Sequence, residues 1–207
     1  MFQTRTFHFR HVNGSIKLYF KQLFSCRYHN NFKKTHMDFK NKLIEEAIRV
    51  NHAGEYAAKL IYQNQIRRAK TDELKQTLLH MLHQEEKHLE FFNEEIKKRN
   101  IRPTALLPLW NILSKLLGSF SNQEKYMMMV TQVVEEVIEE HYQNQIDMLE
   151  RFKELELADK IKKFMQEEVE HKDLASTKLH SLSWTDYFLS KIIEKGCRTA
   201  IFLSKKI

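Results

Sequence analysis

Apolar residues recur along most of this chain at alternating steps of four and three. Between residues 72 and 99 the stripe runs Leu74, Leu78, Met81, Glu85, His88, Phe92. Between 155 and 180 it runs Leu157, Ile161, Phe164, Glu168, His171, Ala175. That rhythm keeps one face of a helix turned toward a core. The pattern predicts helices at about 39–70, 72–99, 105–118, 122–151, 155–180 and 184–205. Asn100-Ile101-Arg102-Pro103 ends the second, because the residue before a proline avoids the helical region. Ser121-Asn122 offers an N-cap for the fourth. Only 4 Gly and 2 Pro occur in 207 residues, so the chain is expected to be all-α.

The pattern also repeats. Tyr62-Gln63-Asn64-Gln65-Ile66 recurs 80 residues later as Tyr142-Gln143-Asn144-Gln145-Ile146, and Glu55 faces Glu135 at the same offset. Gln84-Glu85-Glu86-Lys87-His88 is matched 83 residues on by Glu167-Glu168-Val169-Glu170-His171. Each half therefore reads as a helix with Glu, then a helix with Glu-x-x-His. Two such hairpins make a four-helix bundle; two copies at this period are too few for a solenoid.

Phase selects the chemistry. Glu85 and His88 share one helical face, as do Glu168 and His171, and both pairs interrupt an apolar seam. Glu55 continues that kind of seam into Ala58, Tyr62 and Ile66, and Glu135 into Ile138, Tyr142 and Ile146. Glu86, Glu136, Glu139 and Glu167 fall off the stripes and are expected in solvent. Six polar side chains thus point inward from four helices. Buried carboxylates are costly unless paired or bound to metal, and two divalent ions balance four of them. Oxygen and imidazole ligands suit iron or manganese. One Glu from each of two helices and Glu-x-x-His from each of the others is the ligand set of ferritin-like two-metal proteins. The alternative is a core of buried ion pairs.

Other polar residues lie near these seams. Tyr62 and Tyr142 are either packed aromatics, or hydrogen-bond partners of the ligands or a relay of electrons and protons. His52 and His141 are candidates for the same supporting role. Met127, Met128 and Met129 point in successive directions and read as packing.

The net charge of +7 does not indicate nucleic acid. Residues 1–36 hold seven Lys/Arg and no Asp or Glu, leaving 27 basic and 27 acidic residues in the remainder. A basic, acid-free leader interleaved with Phe and Leu has the composition of a mitochondrial presequence. The alternative is a basic disordered tail. Cys26 and Cys197, far apart in sequence, make neither a disulfide framework nor a thiolate metal site.

Residues 101–120 are rich in Leu, Ile and Trp but are interrupted by Lys115 and two prolines. The segment falls short of a membrane span and suits a helix lying in the interface. Leu106, Leu109, Trp110, Leu113 and Leu117 would face the membrane, with Trp110 at headgroup level. The alternative is a crossover helix packed on the bundle. The last helix is amphipathic as well, with Phe188, Ile192, Cys197, Ala200 and Ile201 set against Lys191, Lys195 and Arg198. The expected architecture is a ferritin-like four-helix bundle over 38–207, with an additional interfacial amphipathic helix and a C-terminal helix.

Several short motifs together resemble the demethoxyubiquinone hydroxylases of ubiquinone biosynthesis. They are Arg49-Val50-Asn51-His52-Ala53-Gly54-Glu55-Tyr56, Arg102-Pro103-Thr104, Leu107-Pro108-Leu109-Trp110-Asn111, Glu135-Glu136 with His141-Tyr142, Glu168-x-x-His171, and Gly196-Cys197-Arg198. The resemblance covers about residues 40–207. It implies a peripheral enzyme on the matrix side of the mitochondrial inner membrane, acting on 2-polyprenyl-3-methyl-6-methoxy-1,4-benzoquinone with O2 and electrons from NADH. It implies two Fe ions held by Glu55, Glu85, His88, Glu135, Glu168 and His171, with Glu85 and Glu168 bridging. It also implies a lipid-binding partner protein and a quinone-synthesis complex. Asn51, Ala57 and Lys172 stand where the family usually has Asp, Gly and His; none of these departures removes a ligand.

No G-x-G-x-x-G occurs, so a nicotinamide cofactor has no recognisable Rossmann site. Two other functions fit the same bundle. An iron store or peroxide scavenger would assemble into a cage or carry added Cys sites. A non-catalytic scaffold would restore quinone synthesis even with its ligands removed.

Overall fold

The computed structural model describes the backbone of residues 14–179 and 181–206, and side chains at 35, 37–179 and 181–206. The chain divides into two compact units, Met1–Lys42 and Leu43–Ile207. Most of the expected presequence, 1–36, lies outside the described side chains.

Among the described residues there are six helices: α1 (Gly14–Arg68), α2 (Asp72–Arg99), α3 (Leu107–Gly118), α4 (Glu124–Arg151), α5 (Leu155–Thr177) and α6 (Trp184–Lys206). No strand occurs among the described residues, as the scarcity of Gly and Pro implies. From residue 43 onward, α1 joins α2, α4 and α5 in the ferritin-like four-helix bundle.

Local signals explain three helix ends. The Thr71 side chain accepts from Leu74 N at 3.2 Å and opens α2. Asn100, in the left-handed region at φ 53°, closes it by returning its N–H to Ile96 O and Lys97 O. Ser183 and Asp186 open α6 with a reciprocal box: Ser183 N donates to Asp186 Oδ2 at 2.8 Å, and Asp186 N to Ser183 Oγ at 3.2 Å. The expected cap of α4 differs. Its N-cap is Gln123, without a side-chain bond. Ser121 Oγ instead accepts from Gln123 N within the preceding turn, at 3.1 Å.

Two apolar clusters fill the bundle. One joins Ile48, Phe92, Ile146, Leu149, Ile161 and Phe164. The other joins Ala58, Leu74, Leu78, Met81, Met128 and Ala175. A polar layer interrupts the seams between them. Met127 and Met128 belong to the second cluster, whereas Met129 packs with Ile61, Val130, Val133 and Ile193 in a third. The methionine run is therefore core, divided between faces.

α3 crosses α1 very closely. A Cβ at Gly118 would stand 2.4 Å from Ile61 O, so only glycine permits this approach.

Candidate metal centre

The polar layer gathers the six inward residues from four helices: Glu55 on α1, Glu85 and His88 on α2, Glu135 on α4, Glu168 and His171 on α5. All six are buried. They form two overlapping groups, Glu55/Glu85/His88/Glu168 and Glu85/Glu135/Glu168/His171, each with ligand atoms within 4.8 Å of one another. Glu85 and Glu168 are common to both, which is the place of a bridging carboxylate. His88 Nδ1 stands 3.1 Å from Glu168 Oε1 and 3.6 Å from Glu55 Oε2. His171 Nδ1 stands 3.1 Å from Glu168 Oε2 and 3.4 Å from Glu85 Oε1.

The donor set fits two divalent ions. Among the described residues, Glu85 Oε1, His88 Nδ1, Glu168 Oε2 and His171 Nδ1 are buried without a hydrogen-bond partner. Buried polar atoms are rarely left so, and metal ligation satisfies each of them. Oxygen and imidazole donors without thiolate match iron or manganese.

Without metal the layer is electrostatically tense. Burial raises the Glu85 carboxyl well above the usual carboxylate range, and Glu168 and Glu55 raise it further. Burial and Glu168 raise Glu135 against an opposing hydrogen bond from Tyr62. Burial also acts to raise Glu168, but His171 and His88 win and bring it down to about 2. Burial acts to lower His88, yet Glu168 and Glu55 push it up to about 11.

The tyrosines close the layer crosswise. Tyr62 of α1 donates to Glu135 of α4 at 2.7 Å, and Tyr142 of α4 donates to Glu55 of α1. Burial, then the carboxylates, raise both phenols well above their usual value, so both remain donors. His52 turns away to Asn93 Oδ1 at 3.1 Å.

Two supports were not legible from phase alone. His88 Nε2 meets Glu167 Oε2 at 2.6 Å, and His171 Nε2 meets Gln84 Oε1 at 2.8 Å. Glu167 lies off the apolar stripe as expected but is only partly solvated, with 36% of its side chain exposed. The signal was the 83-residue offset, which pairs Gln84 with Glu167. The other off-stripe acids behave as expected or pair at the surface: Glu86 binds Lys59 at 3.0 Å, and Glu139 binds Lys172.

An apolar cavity of about 390 Å³ opens onto the layer. Glu55, Glu85, Glu135 and Glu168 line it together with Gly54, Leu113, Leu117, Ile138, Ile193 and Ala200 from α1, α3, α4 and α6. His141 lines it too; its Nε2 lies 2.6 Å from Gln145 Nε2. Gln145 exchanges paired amide bonds with Asn51, both 2.7 Å. Cys197 also lines the cavity, and burial pushes its thiol up to about 12, so it is no ready thiolate.

α3 corrects one expectation. Leu109 and Leu113 are exposed and Leu106 and Leu117 half-buried, but Trp110 is buried and donates Nε1–H to Ser204 Oγ at 2.9 Å. Its indole pins α3 to α6 instead of facing outward, because the N–H finds a protein partner. Ile112, Leu116 and Phe120 complete the exposed apolar face. Among the described residues no helix is long and apolar enough to cross a membrane.

A family model described as "Ubiquinone biosynthesis protein COQ7" matches residues 42–204. The chain belongs to the COQ7 family. A human relative, the mitochondrial "NADPH-dependent 3-demethoxyubiquinone 3-hydroxylase", is 39% identical over 171 residues, covering 79% of this chain and 78% of its own. A Rhodospirillum rubrum "3-demethoxyubiquinol 3-hydroxylase" is 37% identical over 172 residues, covering 80% and 79%. A Saccharomyces cerevisiae "5-demethoxyubiquinone hydroxylase, mitochondrial" is 29% identical over 188 residues, covering 82% and 81%. The names of the COQ7 relatives thus agree on hydroxylation of a demethoxyubiquinone or its quinol.

Proposed function

We propose that this chain is a two-iron monooxygenase that hydroxylates the ring of 2-polyprenyl-3-methyl-6-methoxy-1,4-benzoquinone in ubiquinone biosynthesis. The observation that carries this reading is the apolar cavity that opens onto the four glutamates of the six-residue ligand cluster. Glu55, Glu85, His88 and Glu168 would hold one ion, and Glu85, Glu135, Glu168 and His171 the other. When bound, the iron pair supplies the O2 chemistry. One ring C–H becomes C–OH, the second oxygen atom leaves as water, and a reduced nicotinamide supplies two electrons. The family resemblance implies NADH; the human relative is named for NADPH.

The protein's own part is placement and exclusion of water. Leu113, Leu117, Ile138 and Ile193 give the ring a dry wall. Tyr62 and Tyr142 fix Glu135 and Glu55 by donating to them. Glu167 and Gln84 accept from the Nε2–H of His88 and His171, which leaves each Nδ1 free as a ligand atom.

The prenyl tail would leave between α3 and α6 toward lipid. Both helices expose apolar residues there, among them Ile112, Leu116, Phe188, Ile192 and Phe202. Lys115, Lys191 and Lys195 stand nearby in sequence, which suits an anionic leaflet. The enzyme would sit peripherally on the matrix side of the inner membrane, delivered by residues 1–36, with a lipid-binding partner presenting the quinone. An apolar route to the ligands favours this reading over iron storage, which requires passage for hydrated ions.

A quinone mass profile tests it. In cells lacking the gene, the wild-type chain should restore ubiquinone, and Glu168→Ala should accumulate the demethoxy precursor. Normal ubiquinone with Glu168→Ala would defeat the enzymatic reading.

A further inference from the structure

The two histidines of the ligand layer look equivalent by sequence, yet their outer nitrogens meet different chemistry. His88 Nε2 faces a carboxylate, Glu167 Oε2, at 2.6 Å. His171 Nε2 faces an amide oxygen, Gln84 Oε1, at 2.8 Å. Each partner comes from the opposite hairpin, and each directly precedes the shared Glu of its own helix. The two contacts are the same device built with two different acceptors.

The difference has a direct consequence for ligation. A hydrogen bond to an ionised acceptor is shorter and roughly twice as strong as one to a neutral acceptor. Withdrawing the Nε2 proton toward a carboxylate raises electron density in the ring and makes Nδ1 a better donor. Both Nδ1 atoms are buried, lack hydrogen bonds and lie against the shared Glu168. The two Nε2 contacts differ in their acceptor, Glu167 for His88 and Gln84 for His171.

We propose that Glu167 is a positioning residue that makes the two metal positions unequal, so that the one containing His88 binds its ion more tightly. The proposal rests on the two-metal reading of the site. The weaker position, with His171, is the one whose ion exchanges first.

Acceptor swaps in the full-length chain test this. The metal-free protein is titrated with Co(II) under anaerobic conditions, and stepwise binding is read by calorimetry and by the ligand-field bands. The wild type should bind two ions in resolved steps. Glu167→Gln should weaken the first step by roughly 10–100-fold and merge the two. Gln84→Glu should tighten the second step and also bring the two together. The double swap, Q84E/E167Q, should restore two separated steps, because it exchanges the positions. Far-UV circular dichroism and melting of each metal-free variant report the fold separately. Unchanged steps in both single variants would overturn the proposal, as would a double variant whose steps stay merged. A wild-type chain that takes up no Co(II) would overturn the two-metal reading itself, and this proposal with it. Two ions that bind in one unresolved step would overturn the inequality alone.

Discussion

The α1–α2 and α4–α5 hairpins carry one motif twice but do not carry the same load. Glu85 and Glu168 occupy matching repeat positions. Glu168 lies 3.1 Å from both His88 Nδ1 and His171 Nδ1, whereas Glu85 approaches His171 alone, at 3.4 Å. Two imidazoles hold Glu168 down to about 2, while burial and its acidic neighbours hold Glu85 up. Further along, the repeat places Ile61 of α1 against His141 of α4. Both line the cavity, Ile61 as a buried apolar side chain and His141 as a polar one. The duplication supplies ligand symmetry. The departures from it decide where charge rests and how polar the cavity wall is.

The largest expected effect breaks this comparison at its centre. Glu168→Gln should lower the stability of the metal-free protein by ~3 kcal/mol, since it removes the carboxylate shared by the two buried imidazoles and leaves His88 only Glu167 and Glu55. Glu85→Gln should move it by less than ~1 kcal/mol, because that carboxyl already favours its neutral form. Both variants should lose metal. Urea melts of metal-free protein decide the matter; equal losses would mean that the two glutamates are interchangeable.

The next effect belongs to His141. Burial and then Lys205 lower it to about 4, against an opposing pull from Glu140. Geometry agrees, because the Gln145 amide N–H needs an acceptor at His141 Nε2, 2.6 Å away. The folded value lies below the unfolded 6.5, so the unfolded chain binds the extra proton. Stability from this group is therefore whole above about pH 6.5 and declines as pH falls toward 4. The loss should reach up to ~3 kcal/mol by pH 4. His141→Gln should flatten that part of the pH–stability curve relative to wild type. The matching Ile61→Val, with no proton to take up, should leave its shape unchanged.

Much of the fold was legible because periodicity and burial are the same fact seen twice. The α2 and α5 seams fall on buried positions, and α2 begins and ends where its capping residues indicate. The six ligand-layer residues were chosen by phase, and the structure brings them together. What escaped depended on contacts between helices. Glu167 is off its own helix's seam but reaches His88 across the bundle. Trp110 looked like an interfacial residue until Ser204, 94 positions away, accepted its N–H. The α4 cap moved because Ser121 spent its oxygen on a turn. The cavity had no linear signal, since all six helices contribute to it.

The tyrosine crossing sharpens the comparison at a smaller scale. Tyr62→Phe and Tyr142→Phe each remove one donor to a buried carboxylate, and each should cost ~1–2 kcal/mol. Turnover should separate them. Tyr142 lines the cavity while Tyr62 sits in the apolar cluster beyond the layer, so quinone product should fall further in Tyr142→Phe. Melting and a product assay on the same two preparations check both halves of that statement.

The smallest effect lies where each second helix begins. α2 opens on Thr71, whose side chain accepts from Leu74 N at 3.2 Å, whereas α5 opens on Glu154 with no side-chain cap. The turn into α5 instead places Lys153 in the left-handed region at φ 59°, a conformation that favours glycine. Thr71→Ala should therefore cost about 1 kcal/mol. Lys153→Gly should stabilise by ~0.5 kcal/mol, the relief of strain outweighing the added chain entropy. Both lie away from the ligand layer, so the shift in thermal midpoint should appear in metal-free and metal-loaded protein alike. A Lys153→Gly variant that melts lower would show that the α4–α5 turn gains more from its lysine than it loses to backbone strain.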